Sequence, residues 1–157
     1  MSIVGLATQV AGCGCTAADC GDSLVIRGPV RIATSEPADL HVRVCRNETC
    51  GHGSLRANPL ADEPTGAQVL LAGAVDARVW LSSDPADDHW QLMVRFDQCD
   101  QEGEFEDGDI VELVVTDRET ATVPVDLHEE VVFDTVAPNG TWCGPICLVA
   151  EITIPAP

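Results

Sequence analysis

Short runs of apolar and β-branched residues, each closed by a turn-forming residue, constrain this chain more than any other feature of its sequence. The clearest run is 90–97, in which large apolar residues from Trp90 to Phe96 occupy every second position. Such alternation predicts a strand with one buried face and one solvated face. No segment keeps a period of 3.6 residues over several turns, which excludes a helical bundle.

Further strands are predicted along most of the chain. They cover residues 23–27, 40–45, 110–116, 121–125, 130–135 and 148–154. Gly28-Pro29 is expected to end the first of them. Residues 68–81 fit either two strands around Gly73-Ala74 or a short helix, and the alternation of Val69, Leu71, Val79 and Leu81 favours strands. The pattern predicts an all-β fold, an immunoglobulin-like antiparallel β-sandwich of about seven to nine strands.

Length and charge limit the class of protein further. A chain of 157 residues predicts a single domain, which we place at 15–157, and residues 1–14 are then a signal and lipobox remnant or a disordered tail. The 26 acids and 8 bases give a net charge of −18, and every base is Arg. Such a surface repels phosphate backbones and anionic lipid, so we expect no nucleic-acid partner.

Eight cysteines predict a disulfide-stapled protein of an oxidising compartment. They lie at Cys13, Cys15, Cys20, Cys45, Cys50, Cys99, Cys143 and Cys147, without the C-x2-C spacing of structural zinc sites. If Asn47-Glu48 is a two-residue turn, Cys45 and Cys50 form the non-hydrogen-bonded pair next to it, with Cα atoms about 4.5 Å apart. We therefore expect a Cys45–Cys50 disulfide.

The remaining cysteines allow two pairings. Cys15 and Cys20 precede the first strand, and Cys143 and Cys147 precede the last. Terminal strands of a sandwich often lie side by side, so these two sets could pair with each other; local pairs 15–20 and 143–147 are the alternative. Cys99 lacks a partner if Cys13 is lipidated.

The stretch Val10-Ala11-Gly12-Cys13 has the form of a lipobox, which predicts lipidation of Cys13. The apolar residues before it are few and have no Arg or Lys ahead of them, so the alternative is an unstructured tail. We expect an extracytoplasmic protein, either lipid-anchored at the outer face of the cell membrane or secreted.

A run of acids suggests a weak calcium site. Its candidate ligands are Asp97, Asp100, Glu102, Glu104, Asp107 and Asp109. Calcium takes six to eight oxygens from a flexible loop, but the positions of Gly103 and Gly108 do not match an EF-hand. A solvated acidic loop is the simpler interpretation, and a divalent-cation sensor or carrier the alternative function.

Other catalytic or ligating patterns are weak. Trp142 to Cys147 differs by one inserted residue from the W-C-G-P-C site of thiol oxidoreductases, and a strand pattern follows it instead of a helix. Both differences disfavour the alternative of thiol-disulfide oxidoreductase activity. The four histidines, His41, His52, His89 and His128, share no spacing and are interpreted as surface residues. Nothing pairs a nucleophile with a base, so we expect no enzyme and no cofactor.

Several of these motifs together resemble a protein group. They are Cys15 to Cys20 leading into the first strand, the Cys45 to Cys50 hairpin, the turn Asp107-Gly108-Asp109, and Pro138-Asn139-Gly140 followed by Cys143 and Cys147. They resemble uncharacterised secreted or lipid-anchored β-sandwich proteins of high-GC actinobacteria. The resemblance implies an immunoglobulin-like sandwich at the outer face of the membrane. The leading hypothesis is a non-catalytic cell-envelope module that binds a protein or small-molecule ligand or has a structural role.

Overall fold

The structure is a computed structural model. It describes residues 21–32, 37–58, 65–70, 76–83, 89–97, 105–137 and 146–156. Two β-sheets make up this part of the chain. These ranges contain ten strands and no helix. The strands are β1 Ser23–Val30, β2 Ala38–Arg46, β3 Thr49–Ala57, β4 Thr65–Leu70, β5 Asp76–Ser83, β6 Trp90–Asp97, β7 Ile110–Asp117, β8 Val125–Glu130, β9 Asp134–Val136 and β10 Cys147–Thr153.

The two sheets have six and four strands. Their orders are β4-β5-β6-β1-β10-β9 and β3-β2-β7-β8. All neighbours are antiparallel except β1 and β10, which pair in parallel from Ser23 opposite Val149 to Arg27 opposite Thr153. The predicted β-sandwich is confirmed, with ten strands instead of seven to nine, and the first and last strands lie side by side as expected.

The core lies between the sheets and follows from the period of two along each strand. In β6, Leu92, Val94 and Phe96 are almost fully buried, while Met93 on the opposite face is 39% exposed. The predicted strand at 90–97 is therefore confirmed, and its alternation of buried and exposed residues is seen from Trp90 to Phe96. The same alternation buries Leu24 and Ile26 of β1 in the core.

Strand β1 continues past Gly28-Pro29, where the sequence predicted its end. Beyond Arg27 it pairs only with β6, because β10 has no register partner for Gly28 or Pro29. A proline is tolerated where one side of the strand is unpaired. Gly28 is needed there for another reason, since a Cβ on it would lie 2.6 Å from the carbonyl oxygen of Ile154.

The prediction of a strand at 121–125 is wrong, because a turn occupies its first residues. The Asp117 side chain accepts hydrogen bonds from the backbone N–H groups of Glu119 and Thr120, and Ala121 has a φ of 54°. Burial alone raises the pKa of the Asp117 carboxyl, but these hydrogen bonds outweigh it and hold that pKa below its usual value. Strand β8 therefore begins only at Val125.

The prediction for 130–135 is also shifted. Residues 131–133 pair with the 107–109 turn instead of with a neighbouring strand: Gly108 N donates to Val131 O, Val131 N donates to Asp109 O, and Phe133 N donates to Asp107 Oδ1. Strand β9 begins only at Asp134.

By contrast, the region 68–81 contains two strands, β4 and β5, as the alternation favoured.

A buried ion pair closes one end of the sandwich. Arg46 and Asp109 are 8% and 7% exposed, and Arg46 donates from Nε and Nη2 to Asp109 Oδ2 at 2.8 and 2.7 Å. Asn47 Nδ2 donates to Asp109 Oδ1 at 2.9 Å, and the Arg46 guanidinium lies 4.6 Å from the centre of the Phe105 ring. The pair therefore links the β2–β3 hairpin to the turn that starts β7.

Replacing Asp109 with Ala should lower the free energy of unfolding by about 3 kcal/mol, because it removes the carboxylate from a buried guanidinium. Urea denaturation of both proteins measures the difference. Asp126→Ala, which removes an exposed carboxylate from β8, is the matched control and should stay within about 0.5 kcal/mol of the wild type. Equal stability of the two variants would contradict the assigned role of the ion pair.

Candidate functional site

A groove of about 320 Å³ lies on the outer face of the six-stranded sheet. We call it the tryptophan groove; it is lined by Arg27, Trp80, Ser82, Gln91, Leu92 and Met93. Trp80 is half-buried and Met93 is 39% exposed, so two large apolar side chains are open to solvent here. The remaining side chains that reach it carry an amide, a hydroxyl and a guanidinium, so the groove combines an apolar surface with hydrogen-bonding groups.

Strand register brings these residues together from distant parts of the sequence. Trp80 of β5 lies opposite Met93 of β6, and Met93 lies opposite Arg27 of β1. One step along the same face, Ser82 lies opposite Gln91. Because side chains alternate between the faces of a sheet, burying Val79 and Leu81 in the core points Trp80 outward.

A glycine on the neighbouring strand leaves space for the Trp80 indole. Gly66 of β4 is the register partner of Trp80, and a Cβ on Gly66 would lie 3.2 Å from the indole Cδ1 and 3.5 Å from Nε1. These contacts are tight enough that a side chain at position 66 would push against the ring. The absence of a side chain at position 66 therefore leaves room for the indole to lie beside the β4 backbone.

The same face carries three of the eight arginines in this strongly acidic protein. Arg27 forms an exposed ion pair with Glu151, with Nη2 and Oε1 2.8 Å apart. Arg78 of β5 and Arg95 of β6 are register partners, one step from the Trp80–Met93 pair. Within the described part of the chain, Arg78 makes no ion pair, whereas Arg95 has a partner of its own.

The proposed calcium ligands have different positions. Asp109 is held by Arg46, and Asp107 accepts a hydrogen bond from the backbone of Phe133, so both already have structural partners. Asp97 ends β6, and Asp100, Glu102 and Glu104 lie outside the described residues. No group of three or more metal-ligating side chains is present among the residues that the structure describes. A cation at Asp109 would have to compete with Arg46.

The predicted Cys45–Cys50 disulfide is confirmed. The two residues are register partners in a hairpin whose turn is Asn47-Glu48, and their Cα atoms are 4.0 Å apart. Cys147 is also disulfide-bonded, to a cysteine outside the described residues. The other predicted positions, Cys13, Cys15, Cys20, Cys99 and Cys143, lie outside the described residues too. Disulfides are consistent with an oxidising, extracytoplasmic compartment.

Three of the four histidines lie on the outer face of the four-stranded sheet, a grouping that sequence analysis missed. His41 of β2 and His52 of β3 stack with ring centres 5.2 Å apart. His128 Nδ1 lies 3.4 Å from Glu112 Oε1, and Arg43 Nη1 lies 3.2 Å from Glu112 Oε2. The alternation of β2 was a usable signal, since it placed His41 and Arg43 on one face. The position of His52 required the register of β3.

The stacked histidine pair disfavours protonation. Partial burial, the neighbouring His52 and the positive charge of Arg118 all lower the pKa of His41 from 6.5. The pair is therefore most compatible with the fold when His41 is neutral.

Comparison of the chain with protein families, curated proteins and solved structures finds no match. In the described ranges there is also no helix long and apolar enough to cross a membrane.

His41→Gln should make stability less dependent on pH. His41 has a lower pKa in the folded protein than in the unfolded chain, so the unfolded chain binds its proton first as the pH falls. The stabilising contribution of neutral His41 is therefore fully present above about pH 6.5 and decreases below it. Urea denaturation at several pH values between about 5 and 7.5 should show a smaller decrease for His41→Gln, with His89→Gln as the control. An unchanged pH dependence would contradict this.

Proposed function

We propose that the protein is a non-catalytic binding module that acts outside the cytoplasm and holds a saccharide in the tryptophan groove. The observation that carries the proposal is the half-buried Trp80 indole, which lies over Gly66 and lines the groove beside Met93. An exposed aromatic ring in a concave site with a few polar groups is typical of a ligand-binding surface.

The polar groups around the indole favour a sugar over a purely apolar ligand. A pyranose ring has an apolar face of C–H groups and an edge of hydroxyls. The face fits against Trp80 and Met93, while at the edge Ser82 and Gln91 can donate or accept hydrogen bonds and Arg27 can donate them. A volume of about 320 Å³ is sufficient for a small ligand and lies near the lower limit for such sites.

The composition of the groove supports binding without chemistry. Its six lining residues include no acid, no histidine and no cysteine, so the lining offers the Ser82 hydroxyl no general base that would activate it as a nucleophile. Arg27 already pairs with Glu151 on the surface, an interaction worth only about 0–1 kcal/mol, so it remains able to turn toward a ligand.

The location of the module is part of the proposal. The Cys45–Cys50 disulfide supports export, and the Val10 to Cys13 lipobox supports a lipid anchor at Cys13. The partner in this proposal is an extracellular saccharide, and the net charge of −18 argues against nucleic acid.

Trp80→Ala should weaken saccharide binding at least tenfold, because it removes the surface on which the ring stacks; aromatic stacking and burial together contribute more than about 1.4 kcal/mol. Binding is measured by isothermal titration against oligosaccharides chosen by screening immobilised neutral and acidic glycans. The wild type should bind at least one class in the screen.

The control is Val132→Ala, which shortens a side chain that is 75% exposed and lies outside the groove. It should bind as the wild type does, and thermal melting verifies that both variants are folded. Failure of the wild type to bind any glycan, or full binding by folded Trp80→Ala, would refute the proposal.

A further inference from the structure

We infer that the outer edge of β10 is a docking site for an extended, positively charged segment of another protein, which adds to the six-stranded sheet as a further strand. The site is separate from the tryptophan groove and does not depend on the proposed function. Three observations carry the inference: backbone groups without a strand partner, core side chains that are only partly covered, and the charge of the adjacent residues.

The first observation is that β9 covers only the beginning of β10. The two strands pair from Cys147 to Val149. Before β9, residues 131–133 pair with the 107–109 turn of the other sheet, so they do not continue along β10. In the described part of the chain, residues 150–153 therefore have β1 on one side and no strand on the other.

The direction of the backbone groups shows which of them are left at this edge. Leu148 and Ile154 direct their N–H groups to the β1 side, and Ile154 donates to the carbonyl oxygen of Arg27 at 2.8 Å. Backbone groups alternate between the two sides of a strand. The N–H and C=O groups of Glu151 and Thr153 therefore point away from β1, where they can pair with an added strand.

The second observation is that the core is not fully covered at this edge. Ala150 and Ile152 face inward beside Leu24 and Ile26 of β1. The two β1 residues are fully buried, whereas the two β10 residues are partly exposed. At the opposite edge of the sandwich β3 comes close to β4, but no described strand of the four-stranded sheet comes as close to β10. Apolar side chains of an added strand would cover this opening.

The third observation selects the charge of the partner. Asp134 is the residue of β9 next to the open edge, Glu151 lies on that edge, and Glu129 and Glu130 are exposed just before the chain crosses to β9. Within the described ranges only Glu151 of these four acids makes an ion pair, with Arg27. The excess of negative charge favours lysine or arginine at the outward positions of the added strand.

A second copy of this chain fits the edge poorly. Each molecule has a net charge of −18, so pairing two copies edge to edge would bring the same acids together. An extended segment of opposite charge avoids this repulsion. Its backbone can pair with Glu151 and Thr153, and alternate apolar side chains can lie over Ala150 and Ile152.

The test uses a short capped peptide in which valine and lysine alternate, so that one face of the extended peptide is apolar and the other is positively charged. Fluorescence anisotropy of the labelled peptide in about 0.15 M salt measures its binding. One control peptide has glutamate in place of lysine, and another is the valine-lysine peptide N-methylated at each residue, which removes its backbone donors. We expect each control peptide to bind at least about tenfold more weakly.

Thr153→Pro is the corresponding change in the protein. It removes an outward N–H group and places a ring on the open edge, while the strand keeps its hydrogen bonds to β1. Binding of the peptide should weaken at least about tenfold. Ser54→Pro makes the same change on the free edge of β3 and should bind as the wild type does, as should Trp80→Ala in the groove. Thermal melting verifies that each variant is folded.

The role of charge is tested by Asp134→Asn, which keeps the shape of the side chain. It should weaken binding about two- to fivefold, as expected for an exposed ion pair, and the control Asp126→Asn should not. Unchanged binding by Asp134→Asn would refute the assigned charge preference.

Three outcomes would overturn the inference. If the peptide does not bind, or if its N-methylated form binds equally well, no strand is added and the inference fails, while the proposed function stands. If folded Thr153→Pro binds as the wild type does, the assignment to β10 is wrong. If sedimentation shows a wild-type dimer that Thr153→Pro converts to a monomer, the occupant is a second copy and the assigned partner is wrong.

Discussion

The pairing of β1 with β6 on one side and β10 on the other holds the six-stranded sheet together. Without β1, the sheet would separate into β4-β5-β6 and the pair β10-β9. Its inward residues Leu24, Ile26 and Val30 are at most 1% exposed, so both pairings are maintained by burial of the same strand in the core. The alternation that buries these residues also turns Arg27 outward, where it forms one wall of the groove. Core packing and site geometry thus depend on the same strand.

The two outer faces of the sandwich differ in chemistry. The four-stranded sheet carries stacked histidines and an Arg43–Glu112–His128 network, so its polar groups already satisfy one another. The six-stranded sheet carries an indole and a thioether beside arginines that lie close together. The first arrangement is self-compensated, whereas the second leaves the apolar surface of Trp80 and Met93 partly exposed, which is why we propose ligand binding on the second.

The sequence predicted features that depend on neighbouring residues and missed those that depend on register. The strand at 90–97 and the Cys45–Cys50 disulfide were predictable because alternation and a two-residue turn determine them locally. The turn after β7 was missed because Asp117 replaces strand pairing with side-chain hydrogen bonds. Trp80 and Arg27 meet only because β5, β6 and β1 are neighbours in the sheet, and nothing in the sequence states that order. The acid run misled in part, since Asp109 pairs with Arg46, 63 residues away in the chain.

The direction of β1 sets where the groove lies relative to the start of that strand. Strand β1 starts at Ser23, and the groove begins four residues later at Arg27, about 13 Å along the strand. Gln91 and Ser82 are level with Pro29, about 20 Å from that start. The lining residues of the groove therefore lie toward the end of β1 that is farther from Ser23, and not beside the residue at which the strand begins.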